Sequence, residues 1–258
     1  MSKYSNELEV AKRAAQEAGK IVKEMFFGSF DTFVKDDRSY VTSADLEAER
    51  KIIEIVSETF PEHRIMSEEA GGNGKDSKFS WVIDPIDGTT NFSKKIPFFN
   101  IAVALEVNGR VVLGAVFQPI TNELFWAEKE QGAFLNEKRI FVDSETKYND
   151  AFFGYCHGKS VDDIKYMIDM MKKVKPEARE FRKFGSADLE LCYVACGRLN
   201  GFVAKGVKLM DFKPGCIIAQ EAGAIITDFS GKDWQGNTNG DVLTTSSKEL
   251  HEKLLSIV

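Results

Sequence analysis

Apolar residues recur at two kinds of spacing along the chain, and the order of the predicted elements changes near residue 145. Helical spacing predicts an amphipathic helix over residues 5–27 and a second helix that ends before Pro61. Long alternating strands follow, and Asn108-Gly109 between two of them predicts a tight hairpin. Beyond residue 145, shorter strands alternate with helices, which is typical of a layered α/β unit.

Two segments show neither pattern, and one later helix shows an apolar stripe. Residues 30–40, which include adjacent charges at 35–38, are expected to form a loop, and residues 70–80 a glycine-containing connector. Ser160 is expected to open a helix whose stripe packs in the core. The stripe consists of Ile164, Met167, Ile168, Met171 and Val174.

The most informative stretch begins with a short apolar run over residues 79–83, which predicts a buried strand. Two aspartates, Asp84 and Asp87, follow it. Pro85 fixes its own φ and keeps Asp84 extended, so the strand is expected to stop there. Gly88 permits close approach of the backbone to a ligand, and Thr89 can start a helix with free N–H groups. Carboxylates at a strand end beside a helix start offer a hard-cation site next to an anion site, which suits Mg²⁺ and phosphate.

The alternative for Asp84 and Asp87 is an ordinary Asx turn, because aspartate is a common turn residue. The ordered series Asp-Pro-Ile-Asp-Gly-Thr-Thr-Asn-Phe after an apolar strand is far more specific than a lone glycine motif, and it favours the functional interpretation. Asp45 presents a similar choice, because a Thr and an Asp at a helix start usually mean capping.

The sequence resembles the inositol monophosphatase family, within the Mg²⁺-dependent, lithium-sensitive phosphatases that include fructose-1,6-bisphosphatases. The resemblance covers nearly the whole chain. It rests on Thr42-Ser43-Ala44-Asp45, Ser67-Glu68-Glu69, the stretch from Asp84 to Phe92, Gly185-Ser186-Ala187, and Asp211 followed by Glu221-Ala222-Gly223. It implies an α+β fold, a layered αβαβα sandwich. We expect residues 1–145 to form an α+β subdomain with most metal ligands, and residues 146–258 an α/β subdomain with Asp211 and substrate-side residues.

The resemblance also implies an enzyme, a metal-dependent phosphoric monoester hydrolase with about two to three Mg²⁺ ions per subunit. Its expected substrates are inositol 1-phosphate, fructose 1,6-bisphosphate or both, hydrolysed by direct attack of a metal-activated water. The metal ligands that it implies are Glu68, Asp84, the Ile86 carbonyl, Asp87 and Asp211. The catalytic residues that it implies are Asp45 and Thr89, which activate the water, and Glu68. For Asp45 we favour this role over capping.

The substrate side is where the sequence departs from inositol-selective relatives. Those relatives carry Trp and Glu at the positions of Met210 and Ala204, so a hydroxyl-binding carboxylate is missing here. Nearby cations therefore favour a substrate with a second phosphate, although Lys205 and Lys208 could instead be solvated turn lysines. The expected substrate-binding residues are Asp87, Gly88, Thr89, Arg182, Gly185, Ser186, Ala187, Lys205 and Lys208.

Composition narrows the remaining choices. A net charge of −6 argues against nucleic acid or an anionic membrane as the main partner. Four cysteines without C-x-x-C spacing and only three histidines disfavour a zinc site. No apolar run predicts a membrane span, and the polar N-terminus does not predict a signal peptide, so we expect a cytoplasmic protein. By resemblance we expect a homodimer acting on a small phosphorylated sugar or cyclitol. The open alternatives are a 3′-phosphoadenosine 5′-phosphate phosphatase and a catalytically inactive sugar-phosphate-binding protein.

Overall fold

The computed structural model describes residues 3–36, 39–236 and 240–258, without the side chains of Leu209 and Asp211. The helices in these ranges are α1 Ser5–Phe27, α2 Ser43–Thr59, α3 Thr89–Ser93, α4 Val161–Val174, α5 Ala187–Ala195, α6 Lys213–Glu221 and α7 Lys248–Leu255. The strands are β1 Thr32–Val34, β2 Tyr40–Thr42, β3 Arg64–Ser67, β4 Gly71–Gly72, β5 Phe79–Asp87, β6 Asn100–Val107, β7 Arg110–Gln118, β8 Glu123–Glu128, β9 Gly132–Leu135, β10 Lys138–Ile140, β11 Phe152–His157, β12 Glu180–Arg182, β13 Gly201–Lys205, β14 Ile225–Thr227 and β15 Val242–Thr245. Among these helices, none has the length and apolarity needed to cross a bilayer.

Two large sheets organise the chain. The first has eight strands in the order β10-β9-β8-β7-β6-β5-β3-β4, and only the β3–β5 pair is parallel. The second has five strands in the order β12-β11-β13-β15-β14, with β11 parallel to both of its neighbours. Both sheets are therefore mixed, and each brings parallel strand ends together at one edge.

The helices form three layers around these sheets. One core packs α1 and α2 against the first sheet, and a second core places α5 and α6 between the two sheets. A third core packs α4 and α7 on the far face of the second sheet. Side chains of β6 alternate between the first two cores, because neighbouring residues of a strand point to opposite faces. The predicted α+β fold with αβαβα layering is confirmed.

The strongest sequence patterns locate their elements well. Helix α1 begins and ends where its apolar spacing predicts. Asn108 and Gly109 join β6 and β7 with φ angles of 52° and 74°, and two consecutive left-handed residues are what a tight hairpin of this kind requires. The hairpin prediction is confirmed.

The predicted end of the central strand at Asp84 is wrong, because β5 runs on to Asp87. Its pairing with β6 shifts register between Asp84 and Asp87, which is a bulge. Pro85 falls inside that bulge, where its missing N–H removes no ladder hydrogen bond. The proline therefore interrupts the pairing without ending the strand.

Three further expectations need correction. Residues 30–40 are not only loop, because β1 pairs with β2 there, and the connector at 70–80 contains β4, which pairs with β3. Helix α4 buries Met167, Met170 and Val174, but Ile164 and Ile168 are 36% and 49% exposed. Met167, Val174 and the partly buried Met171 therefore pack in the core as predicted, whereas the two isoleucines do not.

Candidate active site

A cavity of about 430 Å³ lies where the ends of β3, β5, β11 and β13 approach the starts of α3 and α5. Its lining combines acidic residues of the first sheet with basic residues that follow strands of the second. The charged lining residues are Glu68, Asp84, Asp87, Lys159, Lys183 and Lys208. Opposite charges on facing walls suit a ligand that has a cation-bound end and an anionic end.

The bulge in β5 turns Asp84 and Ile86 toward this cavity. An Oδ1 atom of Asp84 accepts the Ile86 N–H at 3.1 Å, so the bulge is held by its own carboxylate. The hydroxyl of Thr89 lies 3.0 Å from the Ile86 carbonyl oxygen. A carboxylate, a backbone carbonyl and a hydroxyl thus share one short segment.

Gly88 links the bulge to α3 in a left-handed conformation, with φ at 99°. A Cβ atom there would lie 3.1 Å from the Phe98 carbonyl oxygen and 3.3 Å from that of Gly185. Only glycine therefore fits without strain. Helix α3 has just five residues, so the dipole expected to favour phosphate at its start is that of little more than one turn.

Asp45 takes part in both of the arrangements considered for it. Its Oδ2 accepts the Thr42 N–H at 2.8 Å and the Thr42 hydroxyl at 2.5 Å, which completes a capping box at the start of α2. Its Oδ1 lies 3.3 Å from the Thr89 hydroxyl. Burial raises the pKa of Asp45 to about 6, against the lowering effect of the Thr42 hydrogen bonds. The cap is present, and it leaves the second carboxylate oxygen facing Thr89.

The carboxylate of Asp87 is surrounded by protein donors. It accepts the Asn100 amide at 2.8 Å, the Ser186 hydroxyl at 2.9 Å, and the N–H groups of Ala187 and Asp188 at 3.1 and 2.9 Å. Burial nevertheless raises the pKa of Asp87 to about 6. Asp87 therefore joins the first sheet to the start of α5. To act as a metal ligand, as predicted, its carboxylate oxygens would have to bind the ion while they also accept these hydrogen bonds.

Glu68 and Glu69 follow β3 and meet the same lysine. The ammonium of Lys35 lies 2.5 Å from Glu69 and 3.4 Å from Glu68. Only Glu68 of the two lines the cavity. Burial raises the pKa of Glu69, and the hydrogen bond from Lys35 works in the opposite direction. Neighbouring residues at a strand end point to different sides, as predicted for this pair.

The opposite wall carries a small basic group. The ammonium of Lys183 lies 3.1 Å from Nε2 of His157, and Nδ1 of that ring lies 2.8 Å from the Gly158 carbonyl oxygen. Lys159 and Lys208 line the same cavity. These residues extend from the loops that follow β11, β12 and β13.

Two of the predicted substrate-binding cations do not line this cavity. Arg182 forms an ion pair with Glu180 at 2.6 Å, and Lys205 one with Asp241 at 2.6 Å. The charge near the site therefore comes from Lys183 and the residues described above. Gly185, Ser186 and Ala187 do line the cavity, together with Gly88 and Thr89.

Several residues of the site were missed by sequence reasoning. The Asn91 amide donates to the carbonyl oxygens of Phe98 and Phe184, both at 2.8 Å, and so fixes the loop before α5 against α3. Asn91 belongs to the motif but had no assigned role. The only sequence signal for Asn100 is that it is a polar residue at the start of an apolar strand. No sequence pattern indicates His157 or Lys159.

Neither Met210 nor Ala204, the two positions at which the sequence departs from inositol-selective relatives, lines this cavity. Ala204 is fully buried in β13. Asp211 lies in the 3₁₀ turn Leu209–Phe212, but its side chain is outside the described residues, so its predicted metal contact stays a prediction.

The donor chemistry of the acidic wall suits Mg²⁺. Glu68, Asp84 and the Ile86 carbonyl supply hard oxygen ligands that face a water-accessible space. Within the described ranges, no three His, Cys, Asp or Glu residues are close enough to hold an ion by themselves. Mg²⁺ commonly keeps several waters and needs only one or two carboxylates plus substrate oxygens, so the residues present fit it.

Comparisons with known proteins identify the family and the fold. Over residues 3–258 the chain matches the model of the inositol monophosphatase family. Nus factor SuhB of Pasteurella multocida is 40% identical over 230 residues, which is 87% of this chain and 85% of that protein. The extragenic suppressor protein SuhB of Bartonella henselae superposes with a TM-score of 0.89 at 30% identity, over 96% of both chains. An IMPase from Thermotoga maritima superposes with a TM-score of 0.88 at 30% identity, over 98% of this chain and 96% of that one. This chain belongs to the inositol monophosphatase family.

Proposed function

We propose that this chain is a Mg²⁺-dependent phosphomonoesterase that hydrolyses inositol 1-phosphate, fructose 1,6-bisphosphate or both by direct attack of water. The observation that carries the proposal is the single cavity in which Glu68, Asp84 and Thr89 face a basic wall. A solved protein described as an inositol monophosphatase–fructose 1,6-bisphosphatase superposes with a TM-score of 0.82 at 27% identity, over 97% of this chain, and supports the pair of substrates.

Thr89 and Asp45 are suited to orient and deprotonate the attacking water. The Thr89 hydroxyl takes the water proton and passes its own to Oδ1 of Asp45, 3.3 Å away. The hydroxide then attacks phosphorus, the ester P–O bond breaks, and the departing alkoxide takes a proton from solvent. Before this transfer the same hydroxyl can donate to the Ile86 carbonyl oxygen, 3.0 Å away, and it turns to Asp45 when its proton is passed on.

The acidic wall would hold the metal that this chemistry needs. Mg²⁺ bound by Glu68, Asp84 and the Ile86 carbonyl would polarise the phosphoryl oxygens and lower the pKa of water. Gly88 and Thr89 line the cavity at the start of α3, where backbone N–H groups would donate hydrogen bonds to phosphate oxygens.

The test is a phosphate-release panel over inositol, sugar and nucleotide phosphates, with Mg²⁺ titrated. We expect release that requires Mg²⁺, and a loss of about a hundredfold or more in kcat for Thr89→Ala. Asp84→Asn should abolish release. A matched control is Thr121→Ala, because Thr121 lies outside the cavity. Preference for 3′-phosphoadenosine 5′-phosphate would select the nucleotide alternative, and no release from any compound would favour a binding protein.

The basic wall predicts a higher kcat/KM for substrates that carry a second phosphate. Lys183→Met and Lys208→Met should each lower kcat/KM for fructose 1,6-bisphosphate by about tenfold, with a smaller effect on inositol 1-phosphate, because a charge-assisted hydrogen bond is lost. Lys205→Met is the matched control, since Lys205 pairs with Asp241 away from the cavity. Equal losses for both substrates would reject a second-phosphate subsite.

A second candidate role follows from the relatives named Nus factor SuhB. That name conflicts with the expectation that nucleic acid is not a partner. A variant without phosphatase activity, Asp84→Asn, separates the two roles in cells that lack this chain. Restoration of the wild-type phenotype by this variant would favour the Nus-factor role, and failure would favour the phosphatase.

We also propose that the chain forms a homodimer and that its two subdomains meet near residue 145. Sedimentation of the purified chain measures the oligomeric state. Limited proteolysis tests the boundary, since a protease should cut between the subdomains before it cuts the sheets on either side.

A further inference from the structure

A buried carboxylate lies directly behind Glu68. Glu49 is on α2, one turn after Asp45, and only 4% of its surface is exposed. No lysine or arginine forms an ion pair with it among the described residues, and it does not line the cavity. A buried acidic group of this kind is costly unless its hydrogen bonds are made, so its partners indicate its purpose.

Those partners are the two residues on either side of Glu68. A single oxygen of Glu49, Oε1, accepts the Ser67 hydroxyl and the backbone N–H of Glu69, the latter at 2.9 Å. The N–H of Glu68 itself donates to the Ile83 carbonyl oxygen at 3.3 Å. Ser67 at the end of β3 and the two residues that follow it are therefore fixed, Ser67 and Glu69 through Glu49.

The fixed backbone determines which glutamate reaches the cavity. Glu69 is directed toward Lys35, and its side chain is only 10% exposed. Glu68 also meets Lys35, at the longer distance of 3.4 Å, but it lines the cavity and is 26% exposed. Rotation of this turn by one residue would exchange the two side chains.

We propose that Glu49 is a positioning residue for the cation site: it sets the turn at 67–69 so that Glu68 presents its carboxylate to a divalent cation. Glu49 acts through its accepted hydrogen bonds and does not touch the ion. The inference rests on the proposed function only in taking Glu68 as a cation ligand. Groups that orient metal ligands in this way typically change metal affinity by about 10- to 100-fold when removed.

The test measures Mn²⁺ binding to the full chain by calorimetry, without substrate. Glu49→Ala should weaken Mn²⁺ binding by about 10- to 100-fold. Glu49→Gln keeps an acceptor oxygen of the same reach and should stay within about threefold of the wild type. Glu47→Ala is the matched control, because Glu47 is an exposed residue of α2 whose one ion pair within the described ranges is with Arg50. This variant should bind Mn²⁺ as the wild type does.

The outcomes separate positioning from charge and from folding. Equal weakening in Glu49→Gln and Glu49→Ala would show a purely electrostatic role, and unchanged affinity in Glu49→Ala would remove the role altogether; either result overturns the proposal. If Glu49→Ala does not fold, Ser67→Ala removes one of the two hydrogen bonds and should weaken binding by a few fold; unchanged affinity in Ser67→Ala would then overturn the proposal. Phosphate release by the wild type is measured separately, so an inactive wild type with the expected affinity pattern would reject the proposed function and leave this inference standing.

Discussion

The carboxylate of Asp87 lies 2.9 Å from the backbone N–H of Asp188, although 101 positions separate the two residues in the sequence. The same carboxylate accepts the N–H of Ala187. Ser186, the residue at the N-cap of α5, makes no capping hydrogen bond of its own and donates to Asp87 instead. Helix α5 is thus capped by a side chain of the first sheet, which ties the two sheets together beside the cavity.

Asp87→Asn should therefore destabilise the protein even where no cation is bound. All four partners of this carboxylate donate, and an amide offers one acceptor oxygen and an N–H₂ group that would face other donors. We expect a loss of about 2 kcal/mol in the free energy of unfolding, measured by urea denaturation with a chelator present. Ser186→Ala, which removes one donor, should lose about 1 kcal/mol or less. An unchanged midpoint for Asp87→Asn would contradict the capping role.

Lys35 and a divalent cation should compete for the same carboxylates. The ammonium lies 2.5 Å from Glu69 and 3.4 Å from Glu68, where it partly neutralises the site. Lys35→Met should therefore bind Mg²⁺ more tightly, by about tenfold, because a cation near the ligands is removed. Calorimetric titration measures the change. Lys94→Met is the matched control, since Lys94 lies over the Tyr40 ring and forms no ion pair with any carboxylate in the described part of the chain. Weaker binding in Lys35→Met would contradict competition.

The acidic half of the site could be predicted because it lies on local sequence. Asp84, Gly88 and Thr89 belong to one segment whose order of residue types requires a strand end, a left-handed turn and a helix start. Even there, whether the strand ends at Pro85 depends on the neighbouring strand, since a bulge in the β5–β6 pairing lets β5 continue. Pairing between strands is not visible in either strand alone.

The basic half could be predicted only in part for the same reason: Lys208 lines the cavity as expected, whereas Arg182 and Lys205 do not. Arg182 and Lys183 are neighbours at the end of β12, so they point to opposite sides, and one residue of register decides which faces the cavity. Lys205 and Lys208 differ likewise, because Asp241, 36 residues later in the chain, holds Lys205 away. The sequence indicates that lysines and arginines lie near the site. Only the contacts in the folded protein distinguish the ones that line the cavity from the ones that do not.

Lys95 should stabilise α1 from outside the helix. Its ammonium lies near the carbonyl oxygens of Met25, Phe26 and Gly28, at the end where unpaired carbonyls and the negative end of the helix dipole lie. Lys95→Met should cost about 1–2 kcal/mol in the free energy of unfolding. Thermal and urea denaturation measure this cost. Lys20→Met, on the exposed face of α1 beside Glu17, should change stability by no more than about 0.5 kcal/mol; similar effects in both variants would argue that Lys95 has no special role.

His251 should make the protein sensitive to acid. It lies on α7, buried against β14 and β15, with its ring nitrogens 3.0 Å from the hydroxyls of Thr227 and Thr245. Burial lowers its pKa below 6.5, more than Asp233 and Glu252 raise it. The unfolded chain therefore binds a proton that the folded chain resists, and stability from this residue is lost as the pH falls through about 6.5. The free energy of unfolding of the wild type should fall more steeply than that of His251→Gln between about pH 7 and about pH 5. Asp45 and Asp87, whose raised pKa values act in the opposite direction, contribute equally to both proteins, so the difference isolates His251. Parallel pH profiles for the two proteins would contradict the prediction.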